Sequence, residues 1–176
     1  DCNRNRTGRR PADAASSMID NSPSSSESLP PVESLRRKRR QSRVLALQML
    51  CQLHVQGDEA LADLPAFFAE SGASGDVFEY AARLVRRAWA QREALDGRLE
   101  AASPQWKPDR MSTVEHAILR IAVLEMLGDE VPAAVAMDEA IEIGKEFGGA
   151  ETPRFVNGVL DAVYLKNREE TGAKPD

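Results

Sequence analysis

The stretch 112–128, STVEHAILRIAVLEMLG, is apolar around most of the circumference of a helix, and such a helix has to be wrapped by others. Val114, Ala117, Ile118, Ile121 and Leu124 recur at the three-and-four spacing of one face, and Leu119, Val123 and Met126 cover a second. Only Glu115, His116, Arg120 and Glu125 are left to reach water or partners. Ser112, followed three residues later by Glu115, is a capping-box pattern in which each side chain satisfies a backbone donor freed by the first turn; Gly128 supplies the stop. A helix with so little polar surface predicts an all-α bundle built around it.

The flanking segments read as further helices. Residues 35–56 put Val44, Leu47, Leu50 and Cys51 on one stripe, ended by Gly57. A short helix with Leu64, Phe67 and Phe68 inward follows, capped by Asp58 or Asp63, with Pro65 tolerable only in its first turn. SGASG breaks it, and a long helix over 76–100 carries Val77, Tyr80, Ala81, Leu84, Val85, Ala88, Leu95 and Leu99, with Gly97 as its weak point. After the central helix, Pro132 opens a helix whose buried face is Met137, Ala140, Ile141, Gly144 and Phe147. Thr152-Pro153 then starts a last one with Phe155, Val156, Val159, Leu160 and Val163 inward. Nothing alternates like a strand, so the expectation is about six helices in two packed three-helix bundles.

The 176 residues suit one domain and a tail. Residues 1–35 are poor in apolar side chains and rich in Ser and Pro, so they are expected to be a disordered tail; the helical domain is expected over 36–168, with 169–176 a disordered end. Met18 reads as an ordinary start, and residues 1–17 are left out of the fold reasoning. The net charge of −5 hides a division, because residues 1–43 carry +5 and residues 44–176 carry −10. Two cysteines make no disulfide framework, and no run approaches the roughly 20 apolar residues of a membrane span, so a cytoplasmic location is expected.

Catalytic chemistry finds little support. Cys51 and His54 stand one turn apart, yet Cys51 lies in an apolar stripe with no orienting carboxylate near, and behaves there as a small hydrophobe. His116 is isolated, and two histidines without clustered ligands argue against a metal site. Asp138, Glu139 and Glu142 near a helix start favour the macrodipole without doing acid-base work. The glycine pairs lack the strand-to-helix setting of a phosphate loop. No catalytic residue, metal or cofactor is expected.

The basic run RRKRRQSR, residues 36–43, is the strongest physical signal. Arg36, Arg39, Arg40 and Arg43 share one helical face if the first helix extends back through them. Cations at a helix N-terminus oppose the macrodipole and repel one another, an arrangement that favours an anion supplied from outside. Such runs are often only solvated charge, or address labels, so nucleic acid is the leading option among these. The run contains no aromatic to read a base. Binding is therefore expected mainly through charge, with a logarithmic salt slope of about −0.7 per phosphate contacted. A second candidate is ETPRFVNG, residues 151–158, where Arg154, Phe155 and Asn157 at a helix start offer a phosphate contact, an aromatic face and a hydrogen-bonding side chain.

RRKRRQSRVLALQML, VEHAILRIAVLEML, VPAAVAMDEAIEIGKEFGG and RFVNGVLD, in this order and at these intervals, resemble the signature segments of the NusB family of bacterial transcription antitermination factors. The resemblance runs from about Arg36 to Leu165; Cys51 stands where the family often has an aromatic, Asp138 where it often has Asn, and the segment before Arg36 is extra. It implies two three-helix bundles and no catalysis. It also implies binding of single-stranded boxA RNA together with NusE, a small-subunit ribosomal protein, in RNA polymerase complexes that read through terminators of ribosomal RNA operons. Carried over by position, Arg36, Arg37, Lys38, Arg39, Arg40 and Arg43 match the RNA-binding segment, Glu151, Arg154, Phe155 and Asn157 the second RNA-contacting element, and Glu115 an acidic position facing NusE. The −10 body suits such a basic partner. Two rivals are the RNA-binding domain of a ribosomal RNA cytosine methyltransferase without its catalytic domain, and a helical adaptor that binds only protein.

Overall fold

The computed structural model describes residues 31–172, apart from positions 105, 108, 109 and 129. Of the disordered tail expected over 1–35, residues 1–30, with Cys2, lie outside the described residues, as do the last four residues of the chain, whereas 31–35 are helical and correct that expectation. Within them the chain is all-helical: α1 Pro31–Gln56, a 3-10 turn Gly57–Asp63, α2 Leu64–Glu70, α3 Gly75–Ala90, α4 Arg92–Ala102, α5 Thr113–Met126, α6 Ala133–Phe147 and α7 Thr152–Thr171. One group is α1, α2 and α3; the other is α5, α6 and α7, with α4 packed on α5 and α7. Helix α5 touches α1, α3, α4, α6 and α7, which is the central position its apolar circumference demands.

The capping box is formed: Ser112 Oγ accepts from the Glu115 N–H at 3.2 Å, and Glu115 Oε2 accepts from the Ser112 N–H at 3.0 Å. Every residue from His116 to Met126 is buried. Of the expectation that His116, Arg120 and Glu125 reach water or partners, water is therefore excluded, and Arg120 and Glu125 meet partners within the chain. Once five helices surround α5 there is no outward side left, and each polar side chain is met by a partner or held neutral instead. Arg120 makes two bonds to Asp96 of α4, Nε to Oδ1 at 2.8 Å and Nη2 to Oδ2 at 2.6 Å. His116 lies against the buried Trp106, ring centroids 4.9 Å apart, and its Nε2 is buried without a partner among the described residues. Burial, helped by the charge of Arg120, pushes its pKa below the ordinary value, which favours the neutral ring.

Other boundaries shift for local reasons. Helix α1 starts at Pro31 rather than 35, because proline suits a first helical position. Gly57, at φ +77°, ends it in the left-handed region. Neither aspartate caps α2: Asp63 makes no such bond, and Asp58 accepts from Trp89 Nε1 at 2.6 Å. The long helix expected over 76–100 breaks at Gln91, not at Gly97, giving seven α-helices. At the break the Trp89 carbonyl accepts from the Arg92 guanidinium at 2.9 Å, so the bend leaves it satisfied. The apolar positions expected along it, Val77 through Leu99, are buried nonetheless. On α6 the fully buried residues are Ala136, Ala140, Ile143 and Gly144, with Met137, Ile141 and Phe147 half-buried at the edge. Helix α7 continues through Thr171, beyond the end expected at 168, and stops at Gly172.

Candidate nucleic-acid interface

The spacing that puts Arg36, Arg39, Arg40 and Arg43 on one face is also that of Val44 and Leu47, so this stripe turns inward as α1 enters the bundle. The face therefore divides. Arg36, Arg37 and Lys38 are exposed, Arg39 and Arg40 are half-buried, and Arg43 is only 4% exposed. Arg43 Nε donates to Glu125 Oε2 at 2.8 Å, and its Nη1 lies 3.6 Å from Glu139 Oε2. The Tyr80 hydroxyl donates to the other Glu125 oxygen. Burial works against the charge of Arg43, yet the bond to Glu125 and the nearby carboxylates outweigh it, and its pKa is raised. Arg43 thus joins α1 to α5 and α6. The single charged face expected from sequence is corrected at this position, because the guanidinium is buried and its charge is paired with acids of the core.

Three of the remaining cations, Lys38, Arg39 and Arg40, are held by neighbouring helices. Lys38 Nζ lies 2.7 Å from Asp76 Oδ2 at the start of α3, and bonds from Lys38 and Ser74 hold the Asp76 pKa at about 2. Arg40 reaches α6, with Nη2 3.1 Å from Glu146 and Nη1 3.8 Å from Glu139. Arg39 lies over the Tyr80 ring, its Cζ 3.7 Å from the centroid, and Arg83 of α3 approaches the same ring at 5.0 Å. Among the described residues Arg36, Arg37 and Arg39 make no ion pair. The front of α1 is therefore a positioned set of cations, some of which lack a carboxylate.

At the start of α7, Glu151, Arg154 and Asn157 are exposed, and the Asn157 amide donates to Asp161 at 2.9 Å. Phe155 is half-buried against the core, so neither the fully inward position nor a free aromatic platform describes it. Glu115 differs from the exposed rim residue expected. It is half-buried and its oxygens are taken: Oε2 accepts from Ser112, and Oε1 accepts from Thr152 Oγ1 at 2.9 Å. Burial alone would raise its pKa, but bonds from the Ser112 N–H, the Thr152 hydroxyl and the Ser112 hydroxyl outweigh it and hold it below the ordinary value. Glu115 thereby ties the start of α5 to that of α7. The approach is tight there, since a Cβ on Gly148 would meet Thr152 carbons at 2.5 Å.

Sequence reasoning missed Tyr80 as a support for Arg39, and the arginines of α3. Its available signal was RLVRR, whose Arg83, Arg86 and Arg87 are all exposed. The acids Glu125 and Glu139 could not be assigned as counter-ions from sequence, since each lies more than 80 positions from the arginine it meets.

The residues considered for catalysis are occupied otherwise. Cys51 is half-buried, and burial raises its thiol pKa, so no thiolate nucleophile is prepared. His54 sets its ring edge-on to His116 at 5.7 Å. Glu139 faces arginines, and Glu142 is paired with Lys145. Among the described residues no group of three or more His, Cys, Asp or Glu side chains is arranged to hold a metal, and no helix is long and apolar enough to cross a membrane.

The described residues form an all-helical body whose first helix carries Arg36, Arg37 and Arg39 without an ion pair, a surface suited to an anionic partner. The chain belongs to the NusB family, whose pattern matches residues 40–165. It is 36% identical over 149 residues to the transcription antitermination protein NusB of Syntrophus aciditrophicus (strain SB), covering 82% of this chain and 92% of that protein. The corresponding protein of Anaeromyxobacter sp. (strain Fw109-5) is 41% identical over 128 residues, 72% of this chain and 89% of its own length. Among solved structures, one of antitermination factors NusB and NusE in complex with dsRNA superposes with a TM-score of 0.65 at 26% identity, covering 74% of this chain and 98% of that one. The family is one of transcription antitermination factors, not enzymes.

Proposed function

We propose that this protein binds single-stranded boxA-type RNA jointly with NusE and acts, without catalysis, in the RNA polymerase antitermination complex on ribosomal RNA operons in the cytoplasm. The observation that carries this reading is the front of α1, where Arg36, Arg37 and Arg39 stand without a carboxylate partner among the described residues. Cations gathered within two turns of one helix repel one another and raise the energy of the free protein, and a phosphate backbone relieves that cost. The relatives' role in antitermination and the solved neighbour that contains NusE and RNA support the same reading.

Arg36, Arg37, Lys38 and Arg40 are assigned to phosphates, and Arg154 and Asn157 to a second contact at the α7 start, with Glu151 and Phe155 bordering it. Arg43 serves by fixing α1 rather than by touching RNA. Glu115 is retained as a NusE-side position through the α5–α7 junction it holds, not as a free charge. The methyltransferase alternative is disfavoured, because relatives matched over about nine-tenths of their own length carry the antitermination name.

Electrophoretic titration with boxA-bearing RNA and a scrambled control, with and without NusE, tests this. Tighter binding of the boxA RNA, strengthened by NusE, is expected. Equal, weak binding of both RNAs with no effect of NusE would overturn it and favour a protein-only adaptor.

A further inference from the structure

Beside the arginines of α1 runs a groove that shares only Arg36 with the phosphate contacts assigned above. Its lining includes the apolar Leu35 of α1, Tyr80 of α3, and Val131, Pro132 and Val135 at the start of α6; the two acids that also line it are each met by arginine, Glu130 by Arg83 at 2.7 Å and Glu139 by Arg43 at 3.6 Å and Arg40 at 3.8 Å. Leu35 is 54% exposed and Val135 44%, so this surface is open to solvent. Arg36 and Arg39 line the near wall, and neither makes an ion pair among the described residues. Arg39 differs from the other cations in having its guanidinium 3.7 Å above the Tyr80 ring. The ring is fixed in turn, because its hydroxyl is bonded to the buried Glu125. A guanidinium held on an aromatic in this way is a pre-set planar surface, with one face covered and the edge of an apolar groove beside it.

We infer that this groove receives one unstacked base of the RNA, which packs against Arg39 and the Leu35–Val135 surface while Arg36 takes the adjoining phosphate. The inference rests on the RNA-binding reading above. Flat apolar faces joined by anionic links are what an apolar groove with uncompensated cations on one wall complements, and single-stranded RNA supplies both. The groove also continues directly from the phosphate-facing side of α1, through Arg36. On this view the segment of α1 borrows from α3 the aromatic support it lacks in its own sequence, and Arg39 contributes to base selection as well as to charge.

The discriminating variant is Arg39→Lys, which keeps the charge and loses the planar group. With boxA RNA it is expected to bind roughly 5- to 100-fold more weakly, the range for losing one base-stacking contact. Its salt slope should be unchanged, and its advantage for boxA over scrambled RNA reduced. Val135→Glu, which places a carboxylate at the exposed lip of the groove, should weaken boxA binding comparably without lowering the melting temperature. Arg37→Ala, outside the groove, should weaken both RNAs equally and flatten the salt slope.

Wild-type affinity and discrimination in both Arg39→Lys and Val135→Glu would overturn the groove while leaving the RNA reading intact. Loss of NusE binding by Val135→Glu, with RNA binding untouched, would overturn it in favour of a protein contact. A wild-type protein that binds neither RNA would remove both readings together.

Discussion

The first turns of α1 and the middle of α5 carry similar charged side chains and use them in opposite ways. On α1, which begins at Pro31, Arg36, Arg37 and Arg39 gather in the second and third turns without carboxylate partners among the described residues, so that their mutual repulsion is left standing. On α5, Arg120 and Glu125 are buried, and each is matched: Arg120 by Asp96, Glu125 by Arg43 and Tyr80. A charge in the core has to be answered from within the chain, because desolvating it alone is prohibitive. A charge at the rim can be left for a partner to answer. Arg43 marks the boundary, one turn beyond Arg39 and Arg40 and already on the core's side of it.

The strongest way to break this contrast is Glu125→Ala. It leaves Arg43 buried with only the more distant Glu139, and should cost about 3–5 kcal/mol in chemical denaturation. A loss below about 1 kcal/mol would mean that the interior charges are answered by water instead, and the contrast with α1 would fail. Ile121→Ala, an apolar truncation on the same helix, should cost about 2–5 kcal/mol, and separates the packing of α5 from its charges.

A smaller effect is expected from pH. The folded-state pKa of His116 lies below the ordinary 6.5 through burial and Arg120, with His54 adding to this and Asp96 and Glu115 opposing it. Its contribution is therefore complete above about pH 6.5 and is lost as the pH falls from there towards the folded value. Thermal melts from pH 7.5 to 5.5 should show this decline in the wild type and a flatter profile in His116→Gln. The smallest change in stability belongs to the Arg36→Ala, Arg37→Ala double variant, within about 0.5 kcal/mol, although its RNA salt slope should flatten by up to about 1.4. If that variant lost stability as Glu125→Ala does, the front of α1 would be part of the core.

What sequence made legible follows the same division. The apolar spacing identified α5 as central and predicted Val77, Tyr80, Leu84, Val85, Leu95 and Leu99 as buried, because burial of apolar surface is a periodic, local signal. The break at Gln91 was not legible, since it depends on Arg92 reaching the Trp89 carbonyl and no glycine or proline announces it. The location of the basic segment was legible, but not its division, because the fate of Arg43 is decided by acids on α5 and α6. Glu115 shows the limit most clearly: its capping box was readable within four residues, whereas the bond to Thr152, 37 positions away, was not.

The pairing of Arg43 with Glu125 also imposes an order on synthesis. The two are separated by 82 positions, so at about 5–20 residues per second the arginine is added to the chain roughly 4–16 s before its acid. During that interval α1 and α3 can meet, but the side chain that belongs at their junction with α5 has no counter-charge and favours water. Arg43 therefore adds no ion pair to the amino-terminal half until α5 supplies its acid. Since α1 packs on α5 as well as on α3, the helix that carries the arginines acquires its full set of neighbours only once residues more than 80 positions further on have been made.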